Sequence, residues 1–449
     1  MAASSLLNPL PRRHFLRLGG ALLPWHAGAW PAATQVDVVV VGAGAAGLSA
    51  ARRLQAQGHS VLVLEAAQRT GGRAFTDRHS FALPVDLGCS WLHQADRNPL
   101  TPIARSLGFT LLAHDGAARH YLDAGIALDA DQRAAILAGE RRLALAMARV
   151  GPADRALACL VDDPRDAAML RALRQIGELD AGGAAEDTSV LGLRAQGSTA
   201  PNWLVRQGMG RIVESLGRGV SIALGQRVTH ITQGARSVKV ATATGAITAA
   251  HCLVTVSTGV LRAEGIRFTP GLGRDTLAAL EALPMGHFNK VILAFDAPLS
   301  GLAPGDWLSE GRSFQPDKAL DFLVHPFDSR LVVAFAGGAH GRALSCAPPR
   351  DAAHEVLARL RECVGGLGRR RLQTSAVTDW SRQPLFGGSY AYLRRGGGAA
   401  RAQLARAGGP RLHFAGEACA TELAQTCGGA CLSGCKAADT IHARLISAV

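Results

Sequence analysis

The chain has 449 residues, 48% of them hydrophobic and 18% charged, enough apolar material for large cores and enough length for two or three domains. That balance excludes intrinsic disorder and a small disulfide scaffold, and no uncharged apolar run of about 18 residues follows the N-terminal region, so stable membrane insertion is not expected. A formal net charge of +13 raises polyanionic partners, but the basic residues are scattered arginines with lysine only at 239, 290, 318 and 436; without a basic tract, nucleic acid is not expected as a partner.

Residues 1–33 read as a targeting segment. Pro11-Arg12-Arg13-His14-Phe15-Leu16-Arg17 precedes a mildly apolar run from Leu18 to Trp30, a pattern that resembles a twin-arginine export signal. Small residues at Ala27 and Ala29, or at Ala32 and Ala33, offer cleavage sites. The expected destination is the periplasm or the outside of the cell, reached by a protein already folded.

Val36 to Val41 is β-branched apart from Asp37, the pattern of a strand buried on both faces of a parallel sheet. Gly42-Ala43-Gly44-Ala45-Ala46-Gly47 follows, then a helical stretch from Leu48 to Gln57, Gly58, and a second apolar strand, Val61 to Leu64, ending at Glu65. This order is that of a dinucleotide-binding βαβ unit. Gly42 permits the tight turn, Gly44 lets the backbone approach a pyrophosphate, Gly47 lets helix and strand pack, and Glu65 holds the ribose hydroxyls.

Further along lie Arg69-Thr70-Gly71-Gly72-Arg73, then Asp86 to His93 with Ser90 and Trp91, and Gln207-Gly208-Met209-Gly210-Arg211 ahead of an apolar helix. Gln226-Arg227-Val228 introduces strand-like segments, and His251 to Val256 reads as another strand, followed by Ser257-Thr258. Gly286-His287-Phe288-Asn289-Lys290 runs into a strand from Val291 to Phe295. Trp380-Ser381-Arg382-Gln383-Pro384 precedes Gly387-Gly388-Ser389-Tyr390. Near the end, His413-Phe414-Ala415-Gly416-Glu417-Ala418 leads to Gly428 to Gly434 in a helix starting near Cys427.

The nine cysteines are odd in number and match no zinc spacing of the CxxC type, so neither a metal nor a full disulfide framework is expected. Cys427, Cys431 and Cys435 fall four apart, on one face of that helix, as small packing residues.

The glycine and arginine turn after Glu65, with the segments that follow it, resembles the FAD-dependent amine oxidases over most of the chain after residue 33. The resemblance implies cofactor contacts at Gly42, Gly44, Ala46, Gly47, Glu65, Ala66, Arg69, Gly72, Arg73, Ser90, Trp91, Val228, Trp380, Gly416, Glu417, Thr426 and Cys427. It implies Lys290 near flavin N5 through a bound water, Trp380 against the isoalloxazine, and Tyr390 as one wall of an aromatic cage for the substrate nitrogen. Thr426 falls where the second wall is often aromatic, which widens the cavity and leaves Glu422 and Gln425 to meet a distant cationic group of a longer amine. Thr426 is therefore counted with Lys290, Trp380 and Tyr390 among the catalytic candidates. Ser389 stands where some members carry a cysteine bonded to the flavin, so FAD is expected to be non-covalent. Ser257-Thr258 replaces a common proline.

The implied fold is α/β: a discontinuous Rossmann-like FAD domain from residues 34–93, 200–264 and 400–449, and an α+β substrate domain from 94–199 and 265–399. The latter contains a helical insertion rich in Ala, Leu and Arg from about 101 to 195 and a mixed sheet from about 265 to 399. The implied reaction is hydride transfer from an amine C–N unit to flavin N5, hydrolysis of the imine, and reoxidation by O2 or another acceptor. Alternatives are an amino acid oxidase, with Arg382 or Arg394 aimed at a carboxylate, a carbon–carbon desaturase of the same fold, and a non-catalytic flavoprotein partner in maturation of an exported enzyme. Desaturases lack the combination of Lys290 with Trp380 to Tyr390.

Overall fold

Residues 35–311 and 314–447 are described by the computed structural model, and the paired-arginine segment lies outside the described residues. The strand Gln35–Val41 buries its last four residues completely or nearly so. Val61–Leu64 and Gly245–Val254 flank it, both parallel, with Val41 opposite Leu64 on one side and Val254 on the other. A strand with a neighbour on each edge and helices on its faces has no solvated side, which is why valine can occupy consecutive positions.

This sheet has eight strands in the order Ile222–Ala223, Val61–Leu64, Gln35–Val41, Gly245–Val254, Val238–Thr242, Val228–Gln233 and Arg267–Thr269, with Leu412–Phe414 also pairing Gly245–Val254. The strand expected at 251–256 is thus the end of a longer one. Its first half pairs antiparallel with Val238–Thr242, and its last residues pair in parallel with Leu412–Phe414.

The first helix begins at Ala45, three residues before the expected start, because the glycine motif itself supplies the opening turn. It lies against the C-terminal helix, Cys427–Ile446. Ser49 Oγ donates to Cys431 Sγ at 3.0 Å, and a Cβ on Gly434 would fall 2.1 Å from the Ala46 carbonyl oxygen. Glycine is what allows the two backbones to touch. The same core holds Leu48 and Leu54, both fully buried; truncating either to alanine costs roughly 2–5 kcal/mol.

A second sheet has seven strands in the order Leu372–Val377, Phe288–Phe295, Leu331–Gly337, Asp321–Val324, Trp307–Glu310, Arg119–Asp123 and Ile126–Ala127. Helices Gly338–Cys346 and Pro349–Cys363 cover one face of it through Leu344, Val356, Leu357 and Leu360.

The segment read as a helical insertion does carry helices Ala130–Arg149, Ala167–Arg174 and Val190–Gln196. It also carries the strands Leu111–Ala113 and Arg119–Asp123. The second joins the seven-stranded sheet by parallel pairing with Trp307–Glu310. Arg-His-Tyr-Leu-Asp has no β-branched residue, so only its tertiary partner makes it a strand. Ala167–Arg174 runs directly into a π-helical segment, Gln175–Asp180, a local winding that no sequence period announces.

Candidate functional site

A cavity of about 920 Å³ opens at the carboxyl ends of the parallel strands, where Val41, Leu64 and Thr255 line it, and extends to the start of strand Phe288–Phe295. Ligands of open parallel sheets sit at that edge.

The glycines of the motif separate into two kinds. Gly42 has φ +107°, and a Cβ there would meet Thr255 Oγ1 at 2.7 Å; a Cβ on Gly47 would meet the Gly42 carbonyl at 2.0 Å. Both are required by packing, and Gly47 does not line the cavity. A Cβ on Gly44 or Gly416 would meet nothing within 4 Å. Their bareness leaves room for a ligand against the backbone.

The helix starting at Ala45 and the one starting at Cys427 both present their first residues to this cavity. Free amides and the positive ends of the helix dipoles therefore converge there. Glu65 accepts from the Ala43 amide at 2.7 Å and from the Ala67 amide at 2.8 Å, so it fastens the turn as well as facing the cavity. Each oxygen keeps acceptor capacity for a ribose hydroxyl.

Arg73 donates to Glu417 Oε1 at 2.9 Å and to the Ser389 carbonyl at 2.7 Å. Glu417 Oε2 is buried and has no partner among the described residues, an orphan acceptor that suits a hydroxyl-bearing cofactor. Ala46, Ala66, Gly72, Ser90, Trp91, Val228 and Cys427 also line the cavity.

Arg69, like Gly47, departs from the other expected cofactor residues. It lies off the cavity, its guanidinium 4.1 Å from the Phe75 ring centre and donating to the Thr70 carbonyl at 3.1 Å. The flat cation packs on an aromatic face.

Lys290 is buried in strand Phe288–Phe295, which begins three residues earlier than expected. Its ammonium donates to the carbonyls of Asp86 and Gly88 at 2.7 and 2.6 Å and to Ser90 Oγ at 2.6 Å. Burial pulls it down to about 8 against the opposing pull of the Asp86 charge. Burial in turn raises the Asp86 carboxyl, which accepts from Thr76 Oγ1 at 2.6 Å and the Met209 amide at 3.0 Å.

Trp380 is buried and donates to the Leu87 carbonyl at 3.0 Å. Tyr390 lines the cavity, its hydroxyl donating to the Asp180 carbonyl at 3.2 Å. Ser389 Oγ donates to the Gly286 carbonyl at 3.0 Å.

Thr426 lines the cavity, and its hydroxyl is committed elsewhere. Its hydroxyl donates to the Leu423 carbonyl at 2.6 Å and accepts from the Gly429 amide at 3.0 Å. The side chain caps the C-terminal helix, which leaves it little capacity for chemistry. Ser257 does the same for Thr258–Arg262, accepting from the Val260 amide at 3.3 Å.

Other expectations fail on position. Glu422 is exposed and off the cavity, whereas Gln425 lines it and donates to the Ala181 carbonyl at 3.1 Å. Arg382 and Arg394 lie off the cavity, and Arg394 is paired with Asp187 at 2.6 Å and Glu281 at 3.1 Å.

Sequence reading missed an aromatic wall. Phe288 shares the face of Lys290, two residues on in the same strand, and its ring centre lies 5.9 Å from that of Tyr390 and 5.7 Å from that of Phe335. Phe335 continues to Trp307 at 5.6 Å, and Trp307 stacks on Trp91 at 6.0 Å. The period-2 rule applied to Phe288 and Lys290 would have found the first member. Asp180 and Asp321 were missed too; both line the cavity, and Asp321 is paired with Arg119 at 2.8 Å.

The family described as Flavin containing amine oxidoreductase matches residues 45–442. The chain belongs to the flavin-containing amine oxidases. Relatives of this amine oxidase include Lysine-specific histone demethylase 1 homolog 2 of Arabidopsis thaliana, 30% identical over 91% of the chain and 58% of that relative. Polyamine oxidase 4 of Oryza sativa subsp. japonica is 27% identical over 96% of the chain and 93% of the relative. The chain thus spans little more than half of the demethylase homologue and nearly all of the polyamine oxidase.

Among solved structures, putrescine oxidase bound to putrescine superposes with a TM-score of 0.75, at 20% identity over 91% of this amine oxidase and 99% of the other chain. Cyclohexylamine oxidase from Brevibacterium oxydans IH-35A gives 0.74, at 22% identity over 92% and 99%. The α/β fold is that of these proteins.

Proposed function

We propose that this amine oxidase oxidises the C–N bond of a small-molecule amine, with FAD bound non-covalently. The observation that carries the reading is the single cavity shared by the dinucleotide cradle, the buried Lys290 and the Phe288–Tyr390 pair. FAD, when bound, accepts a hydride equivalent from the substrate carbon and returns electrons to O2 or another acceptor.

The chain's own residues supply position and electrostatics. Gly44 and the helix start at Ala45 would hold the pyrophosphate, Glu65 the ribose, and Glu417, oriented by Arg73, a cofactor hydroxyl. Trp380, fixed by its bond to the Leu87 carbonyl, would pack against the ring system. Tyr390 and Phe288 hold the reacting nitrogen, and their apolar surroundings favour the neutral amine that has a lone pair to share. Lys290 holds a proton at Nζ that burial lets it exchange near about 8, which would make the charge it offers a bound flavin adjustable.

The proposed division of the chain into cofactor and substrate units is supported by the separate eight-stranded and seven-stranded sheets, except that Arg267–Thr269, inside 265–399, pairs in the eight-stranded one. Export in folded form to the periplasm or beyond is likewise a proposal, supported by Arg12-Arg13 and the apolar run after them. The amino acid alternative has no support from Arg382 or Arg394, both off the cavity.

The test is anaerobic mixing of FAD-loaded protein with pooled amines, polyamines and amino acids, following the oxidised-flavin band near ~450 nm. Bleaching by an amine or polyamine pool establishes the reaction. A yellow protein that no such pool bleaches refutes it.

A further inference from the structure

A second cavity, of about 140 Å³, adjoins the large one. Ala181, Leu193, Gln196 and Gln425 line both, and so form the partition between them. Ala195, Gly398, Ala399 and Thr421, which line only the small one, are exposed. The small cavity therefore has a mouth of its own, near the end of helix Val190–Gln196 and the start of helix Ala400–Arg406.

One side chain fastens the partition. Gln425 Nε2 donates to the Ala181 carbonyl at 3.1 Å. The Ala181 half is fixed by backbone bonds: its own amide donates to the Ile176 carbonyl at 3.0 Å, and the next carbonyl, that of Gly182, accepts from the His287 amide at 2.7 Å. The Gln425 half belongs to a strained loop, with φ +65° at Gln425 and +48° at Leu423, left-handed values that residues other than glycine adopt at a cost. A single neutral hydrogen bond holds the glutamine, and rotation about its side-chain bonds releases it without moving either backbone.

The lining decides what can pass. Glu65, Asp115, Asp180, Asp321 and Glu417 line the large cavity, whereas no carboxylate lines the small one. Its charged side chain is Arg401, held by the carbonyls of Ala391 and Glu417 at 2.8 and 3.1 Å. An ammonium ion meets a like charge there and no counterion. Thr188 donates to the Ala184 carbonyl at 2.7 Å, Ser189 to Asp154 at 2.7 Å and Tyr392 to Asp187 at 3.0 Å, so their hydroxyl protons are committed. Gln196 stands in the partition and Thr421 at the mouth. What remains is alanine, glycine and leucine surface, suited to a small uncharged molecule that asks for no hydrogen bond. An apolar space of about 150 Å³ takes up xenon, and dioxygen is smaller.

We propose that the small cavity is the passage by which dioxygen reaches the large one, with Gln425 as its latch. The inference rests on the amine-oxidation reading and names its electron acceptor. Dioxygen takes up the two electrons and two protons that the amine C–N unit gives up, and leaves as hydrogen peroxide. With its own mouth, the gas arrives while substrate or product still fills the aromatic part of the large cavity.

Two measurements test this. Crystals of the FAD-loaded protein under xenon pressure should hold the gas among Leu193, Leu393 and Ala402. Stopped-flow absorbance then follows anaerobic reduction by whichever amine pool bleaches the flavin, and reoxidation by dioxygen, in wild type, Ala402→Leu and Gln425→Ala. Ala402→Leu fills the passage: xenon is displaced, the second-order rate constant for reoxidation falls by about fivefold or more, and anaerobic reduction is unchanged. Gln425→Ala removes the latch and raises the reoxidation constant by about twofold or more. A wild-type small cavity without xenon, or unchanged reoxidation in Ala402→Leu, overturns the passage, and the xenon arm decides alone if that variant fails to fold. Slowed reoxidation in Ala402→Leu with an unchanged constant in Gln425→Ala overturns the latch only. A wild-type flavin that amines reduce and dioxygen does not reoxidise overturns the passage and leaves amine oxidation standing. Failure of every amine to reduce it overturns both.

Discussion

The hydroxyl of Tyr390 and the backbone carbonyl of Asp180 are joined by a 3.2 Å hydrogen bond, and Gly182, two residues beyond Asp180, lies flat against the same ring, where a Cβ would come within 2.9 Å of Tyr390 Cε2. The aromatic wall and the π-helical segment are therefore one assembly. Tyr390→Phe keeps the ring and loses one bond worth about 0.5–1.5 kcal/mol, so KM should rise by no more than about tenfold. Gly182→Ala puts a methyl into the ring at a φ of +69° and should raise KM more. Steady-state kinetics on FAD-replete protein checks both, and a larger effect from Tyr390→Phe would contradict the packing argument.

The two classes of glycine in the motif should come apart on substitution. Gly44→Ala meets no protein atom and sits at φ −84°, so the apoprotein should melt within a few degrees of wild type while FAD affinity falls. Gly47→Ala collides with the Gly42 carbonyl and should lower the melting temperature of the apoprotein itself. Differential scanning fluorimetry on apoprotein, paired with an FAD titration, separates the two.

Lys290→Met removes the charge and the three hydrogen bonds to Asp86, Gly88 and Ser90 but leaves the dinucleotide cradle intact. Flavin reduction or reoxidation should slow by well over about tenfold, the range expected when a proton-handling group is lost. FAD should stay bound. Stopped-flow absorbance resolves the two half-reactions, and wild-type rates in both would remove Lys290 from the mechanism.

A buried pair, His251 Nδ1 and His413 Nε2 at 3.1 Å, fixes the edge where Leu412–Phe414 joins the main sheet. Burial depresses His251 to about 4, with Arg411, Arg444 and His59 adding repulsion, and depresses His413 to about 3, with His251 and Arg444 adding theirs. In the unfolded chain both titrate near ~6.5. The unfolded state thus binds more protons between those values, and stability is full above about 6.5 and is lost as pH falls toward about 4. Melting temperature should decline over that window, less steeply in His413→Asn. An equal slope in that variant would assign the acid loss to other groups.

Much of the cofactor half was legible because its requirements are local. A strand buried on both faces needs an unbroken apolar run, and Val38 to Val41 supply one; a turn at φ +107° needs glycine, and Gly42 supplies it. The substrate half depends on which distant segments meet. Arg119–Asp123 is a strand only because Trp307–Glu310 lies beside it. Asp180 reaches the cavity at the end of a π-helical segment, a winding with no sequence signature. Thr426 lines the cavity, but only the structure shows its hydroxyl committed to the cap of the C-terminal helix.

The contact between Gly434 and Ala46 sets an order of events in the life of the chain. One amide cluster of the cradle is contributed at Ala45 and the other at Cys427, with the whole seven-stranded sheet encoded between them. The cradle stays half-made until those distant segments meet, in a single closing step in which the C-terminal helix docks on the first.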